Sequence, residues 1–166
     1  MRETVLARVK AFRRALEMAA REQSDEFRDL VRWYELSDFP HGSCDLASHF
    51  LAQYLRDSDP MLLPEIIYMD ATQSVLDGKK SIGNRHVIVA LDEEYIDLTL
   101  DQFDEYNPPV LIESKSGTLG NLLCEIEKSG GHIERREVNI YATDKDDGED
   151  ELYNWLRHTA ERLLTE

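Results

Sequence analysis

"HVIVALDEEYIDLTL", residues 86–100, places two apolar, β-branched runs, 86–91 and 95–100, on either side of three acids. Runs of this kind are strands, and a short gap between them is a hairpin signal. If Asp92 and Glu93 form the turn, Leu91 pairs with Glu94, Asp97 lies opposite Ile88 and His86 faces Thr99. Alternation puts His86, Ile88 and Ala90 on one face and Val87, Val89 and Leu91 on the other. Asp97 is then one diagonal step from His86 on the same face, about 7–8 Å between backbones and within reach of an imidazole. A three-residue turn would send Asp97 to the opposite face, and a four-residue turn would set His86 opposite Asp101. Asp97 and Asp101 therefore both stand as partners for His86. Asp97 is flanked by Ile96 and Leu98, so its carboxylate needs a donor if that strand is buried.

Outward from the hairpin, "EIIYM" (65–69) and "PVLIE" (109–113) read as further strands, and "HIERREVNIYAT" (132–143) as a weaker one. A polar loop, 70–85, arrives directly at His86. Helical periods lie at both ends. Val5, Val9, Phe12, Leu16 and Ala19 form one stripe, continued by Phe27, Leu30, Val31 and Tyr34 after a polar break. Leu152, Leu156, Ala160, Leu163 and Leu164 form another, preceded by the acidic "DKDDGEDE", whose charge suits a helix N-terminus. A shorter helix over "SGTLGNLLCEIEKSGG" turns Leu119, Leu122, Leu123 and Ile126 inward, with Cys124 expected among them as a core thiol. Helices, then antiparallel strands, then helices predict the α+β class. The 166 residues suit a single domain: a helical part over 1–37, a core over 38–143 and a closing helix over 147–165.

Fifteen excess acids give a field that repels phosphate backbones, so nucleic acid is not an expected partner. No apolar run approaches the roughly 18 residues of a membrane span, and the first residues do not read as a signal peptide. A cytoplasmic location and no membrane partner are expected. Cys44 and Cys124 are too few for a disulfide framework, which also suits a reducing compartment.

Cys44 follows "FPHGS" (39–43) and opens "CDLASHFLAQYL", where Leu46, Ala47, Phe50, Leu51, Tyr54 and Leu55 make a broad apolar helix face. Pro40 and Gly42 end the preceding pattern, and Ser43 is placed to cap the new helix. A cysteine on the first turn of a helix meets partial positive charge that favours the thiolate, and the same turn offers backbone N–H groups to an oxyanion. Asp45 opposes this unless its carboxylate points away. The common fate of such a residue is to pack as a small hydrophobe. A nucleophile needs a base, and the base needs an orienting group, so Cys44, His86 and Asp97 form the candidate constellation.

"GSCDLASHFLAQYL", "RHVIVAL" and "YIDLTLDQF" resemble the core of the papain-like cysteine hydrolase superfamily, in particular its transglutaminase-like branch. The resemblance covers residues 39–103. It implies a helix bearing the nucleophile packed on an antiparallel sheet, with Cys44 as nucleophile, His86 as base and later acid, and Asp97 fixing the imidazole tautomer. It further implies thioester chemistry on a peptide or protein amide, of peptidase, deamidase or transglutaminase type, with no cofactor. The chain departs from those relatives in having Val87 and Ile88 where an aromatic commonly follows the histidine, and in lacking a side-chain oxyanion donor upstream of Cys44. Gly42, Ser43, Asp101 and Gln102 are candidates to contact substrate. The rival reading is an inactive module of the same fold that binds a basic protein through its acidic surface.

His41, Cys44, His49 and His86 do not make a convincing zinc set, because His49 lies five positions along the helix from Cys44 and points away from it. No metal is expected. "SIGNR" and "KSGTLGN" lack the spacing of phosphate-binding loops. His132 and His158 sit in polar surroundings and are expected at the surface.

Overall fold

The structure is a computed structural model that describes residues 2–22, 24–71, 85–103, 106–138, 140 and 149–166, the side chains of 149 and 150 excepted. Most of the 70–85 loop and much of the acidic stretch before the last helix lie outside the described residues. The elements are α1 (Glu3–Arg21), α2 (Asp25–Arg28), a 3-10 turn (Trp33–Leu36), α3 (Cys44–Ser58), β1 (Glu65–Asp70), β2 (Arg85–Leu91) and β3 (Glu94–Asp97). A second 3-10 turn (Leu100–Gln102), β4 (Leu111–Ser114), α4 (Thr118–Lys128), β5 (His132–Arg136) and α5 (Glu149–Thr165) complete them. The protein is α+β, with an antiparallel five-stranded sheet in the order β4-β3-β2-β1-β5 and helices at both ends of the chain.

The hairpin forms in the two-residue register: Leu91 pairs with Glu94, Ala90 with Tyr95 and Val89 with Ile96. Asp92 adopts φ 53° in the turn, the left-handed geometry that tight hairpins require. β3 is shorter than the run "YIDLTL" suggests. It stops at Asp97, whose Oδ1 accepts the Thr99 N–H at 2.8 Å, and the chain then coils into the 100–102 turn.

Alternation divides the core between the two faces of the sheet. Ile66, Tyr68, Val87, Val89, Leu91 and Ile96 face the layer formed by α1, α3 and α5, whereas Ile67, Met69, Ile88, Ala90 and Tyr95 face α4. Leu46, Phe50, Leu51 and Leu55 of α3 are fully buried, each contributing about 1.5–3 kcal/mol of apolar transfer. The α1 stripe is buried along its whole length against α5 and α3. Leu119, Leu122, Leu123 and Ile126 are buried in α4.

Three expectations fail. Cys124 is exposed, because it lies about 100° around α4 from Leu123 and falls off the apolar stripe. Tyr34 is 73% exposed. The helix that would carry its stripe lasts only four residues, and Arg32, at φ 68°, resets the phase. Ser43 occupies the N-cap position of α3 but does not cap it, since its hydroxyl donates to the Glu35 carbonyl.

One long-range tie anchors the far side of the sheet. Arg13, 6% exposed on α1, donates two hydrogen bonds to Asp101 (2.9 and 2.8 Å) and others to the Leu98 and Pro109 carbonyls. Its guanidinium also lies 4.5 Å from the Phe39 ring centroid. Both the segment leaving β3 and the loop leading to Cys44 are thereby fastened to α1.

Candidate active site

His86 enters the site from the start of β2, opposite Met69 of β1, and its side chain is fully buried. Nε2–H donates to Asp97 Oδ2 at 2.6 Å. Asp97 is itself 1% exposed, and its other oxygen is occupied by the Thr99 N–H and, at 3.4 Å, the Thr99 hydroxyl. The Phe103 ring meets the imidazole edge-to-face at 5.1 Å. Both candidate acids are thus accounted for: Asp97 pairs with His86 and Asp101 with Arg13.

Cys44 opens α3 and is partly buried and free. It neighbours the His86 ring and acts on its charge, although no formed hydrogen bond joins them: Nδ1 is buried and unpartnered. Burial by itself disfavours the charged imidazole. The Asp97 carboxylate, reinforced by its hydrogen bond and by Cys44, outweighs burial and raises the His86 pKa to about 10.

The loop before α3 is held over this pair. Gly42, at φ 72°, donates its N–H to Gln102 Oε1 at 3.4 Å, and Gln102 Nε2 donates to Thr99 Oγ1 at 3.3 Å. Gln102 therefore bridges the Cys44 loop to the residue that buttresses Asp97. Of the other substrate-contact candidates, Ser43 is buried and tied to Glu35, and Asp101 is turned to Arg13. With the Ser43 hydroxyl turned aside, the first turn of α3 has no side-chain cap.

Beside this triplet stands a network that sequence reasoning missed. Asp45 accepts from Arg32 Nη2 at 2.9 Å and from the Tyr68 hydroxyl at 2.6 Å. With that proton given to Asp45, Tyr68 accepts from His49 Nε2 at 2.6 Å. Burial opposes the charged form of Asp45, yet the Tyr68 hydrogen bond and the charges of His49 and Arg32 hold its carboxyl below the ordinary range. Burial, the larger influence, depresses the His49 pKa, as does Arg32, against the pull of Asp45. Arg32 and Tyr68 belong to segments 13 and 23 residues from Asp45, and no local signal in the sequence joins them.

Among the described residues, no group of three or more His, Cys, Asp or Glu side chains is arranged to hold a metal ion. His41, His132 and His158 are exposed. No helix among the described residues is long and apolar enough to cross a membrane.

Fold and site together define an α+β protein with a buried His–Asp pair beside a free cysteine at a helix N-terminus. No protein-family model matches the chain, and no solved structure matches it. It is similar to the uncharacterized protein YuaU of Escherichia coli strain K12, 38% identical over 140 residues, which cover 83% of this chain and 60% of that protein. It is also similar to the uncharacterized protein YuaU of Escherichia coli strain UTI89, 37% identical over 123 residues, 73% of this chain and 52% of that protein. The chain thus spans between half and three-fifths of the curated relatives it matches.

Proposed function

We propose that this protein is a cysteine-dependent amide hydrolase or acyltransferase with a papain-like, transglutaminase-like core, acting on a peptide or protein amide. One observation carries the reading. The His86 ring is held by Asp97 through Nε2, keeps Nδ1 unpartnered, and has Cys44 as its neighbour. A histidine serving only the core would have both nitrogens satisfied.

The chemistry follows from these positions. The Cys44 thiolate attacks the amide carbonyl, and the oxyanion meets backbone N–H groups of the first turn of α3. His86, kept protonated by Asp97 at neutral pH, gives its proton to the departing nitrogen as the C–N bond breaks and the thioester forms. Now neutral, the ring takes a proton from water or from an acceptor amine as that nucleophile attacks the thioester. Collapse of the second tetrahedral species expels the Cys44 thiolate and regenerates the ion pair. Asp97 fixes the ring orientation throughout.

The test is competitive labelling with a chloroacetamide probe, read by peptide mass spectrometry. Cys124 is exposed and serves as the internal standard. Cys44 is expected to label at least about tenfold faster despite its lesser exposure, with the advantage lost in His86→Ala. Equal rates at the two cysteines, or an advantage that survives His86→Ala, would overturn the proposal in favour of an inactive module.

A further inference from the structure

Asp45 sets a problem for any nucleophile at Cys44. It is the next residue in the chain, its carboxylate is held in the charged form, and negative charge beside a sulfur disfavours the thiolate. Yet that carboxylate, although its side chain is 41% exposed, does not stand free. Arg32 takes Oδ2 and the Tyr68 hydroxyl takes Oδ1, so both oxygens are bound on the side of α3 that faces β1.

Arg32 is itself held unusually. It is the residue before the 33–36 turn, with its backbone at φ 68°, a conformation that residues bearing a β-carbon adopt only at a cost. Its side chain is 13% exposed, forks onto Glu35 and lies 5.6 Å from the Phe50 ring centroid. From this backbone the guanidinium reaches both Glu35 and Oδ2 of Asp45. Surface arginines do not need such a device.

We propose that Arg32 is a positioning residue for Cys44: shared between Glu35 and Asp45, it clamps Asp45 against Tyr68 and partly offsets the one carboxylate adjacent in the chain to the nucleophile, which weakens that carboxylate's field at the sulfur. The inference rests on the nucleophilic role of Cys44. The charged and titratable groups around Asp45 are Arg32 and Glu35 from the preceding turn, His49 from α3 itself, Tyr68 from β1, and Arg136 of β5, whose guanidinium lies 4.1 Å from the Tyr68 ring centroid. Glu137 joins Arg32, Asp45, His49, Tyr68 and Arg136 in lining a cavity of about 430 Å³. His86 is the group acting on Cys44 from the sheet.

The experiment measures the rate of Cys44 alkylation by iodoacetamide as a function of pH in the full chain, with unfolding followed in parallel. Arg32→Gln removes the charge. Arg32→Gly does the same while suiting the left-handed backbone, which guards against a variant that fails only by misfolding. Both are expected to raise the pH midpoint of Cys44 alkylation by about one unit, and Asp45→Asn added to either is expected to bring it back. The inference is overturned if the midpoint stays put in both single variants, or if Asp45→Asn does not restore it, as a merely structural Arg32 would dictate. Failure of the underlying reading is seen separately, in wild-type Cys44 labelling no faster than Cys124, because the midpoint is measurable either way.

Discussion

Replacing Asp97 by Asn probes the one buried ion pair on which the site depends. The substitution keeps the shape, and the amide oxygen still accepts the Thr99 N–H. What is lost is the charge 2.6 Å from His86 Nε2. With both partners essentially inaccessible to water, removing one side of such a pair costs about 3–5 kcal/mol, and the retained Thr99 bond sets the expectation near the lower end, about 3 kcal/mol. The sign with pH is definite. The folded-state pKa of His86 is raised, so its stabilising contribution is complete below the unfolded value of 6.5 and is lost as pH rises through about 10. That interval at about 1.4 kcal/mol per unit bounds the contribution at ~5 kcal/mol, consistent with the pair estimate. Urea unfolding of wild type and Asp97→Asn at about pH 6 and about pH 10 should therefore show a gap of about 3 kcal/mol, roughly 6–12 °C in Tm, that largely closes at the higher pH. A gap of equal size at both pH values would refute the electrostatic account, as would a gap below about 1 kcal/mol at pH 6.

Arg13→Ala strands the Asp101 carboxylate and the Leu98 and Pro109 carbonyls together, and is expected to lower stability by about 3 kcal/mol in thermal unfolding, while Asp101→Asn, which leaves the arginine its carbonyl partners, costs about 1 kcal/mol. Gly42→Ala meets no atom within 4 Å, so its cost comes from φ 72° alone, about 1–2 kcal/mol by urea unfolding, with part recovered by Asn. Stability unchanged in Gly42→Ala would show that the loop relaxes out of the left-handed region.

The hairpin was legible because two constraints act on neighbouring residues. A two-residue turn fixes register, and register fixes which face each side chain takes, so His86 and Asp97 share a face with no information from elsewhere in the chain. The periodicities of α1, α3 and α4 were legible for the same reason, since the burial of Val9, Phe12, Phe50 and Leu122 answers to the helical repeat alone. Cys124 and Tyr34 failed where the repeat was pressed past its range, one onto the flank of a stripe and the other across a left-handed residue.

The sequence by itself determined the class, the strand pairing around His86, and the placement of Cys44 on the first turn of a buried helix, because each follows from contacts within a few residues. Tertiary structure alone decided which acid serves His86, since Asp101 is claimed by Arg13 from 88 residues away. It also decided that the Asp45 carboxylate is bound between Arg32 and Tyr68 instead of standing free beside the sulfur. Charged side chains choose partners by three-dimensional proximity and desolvation, and neither quantity exists until the helices have closed over the sheet.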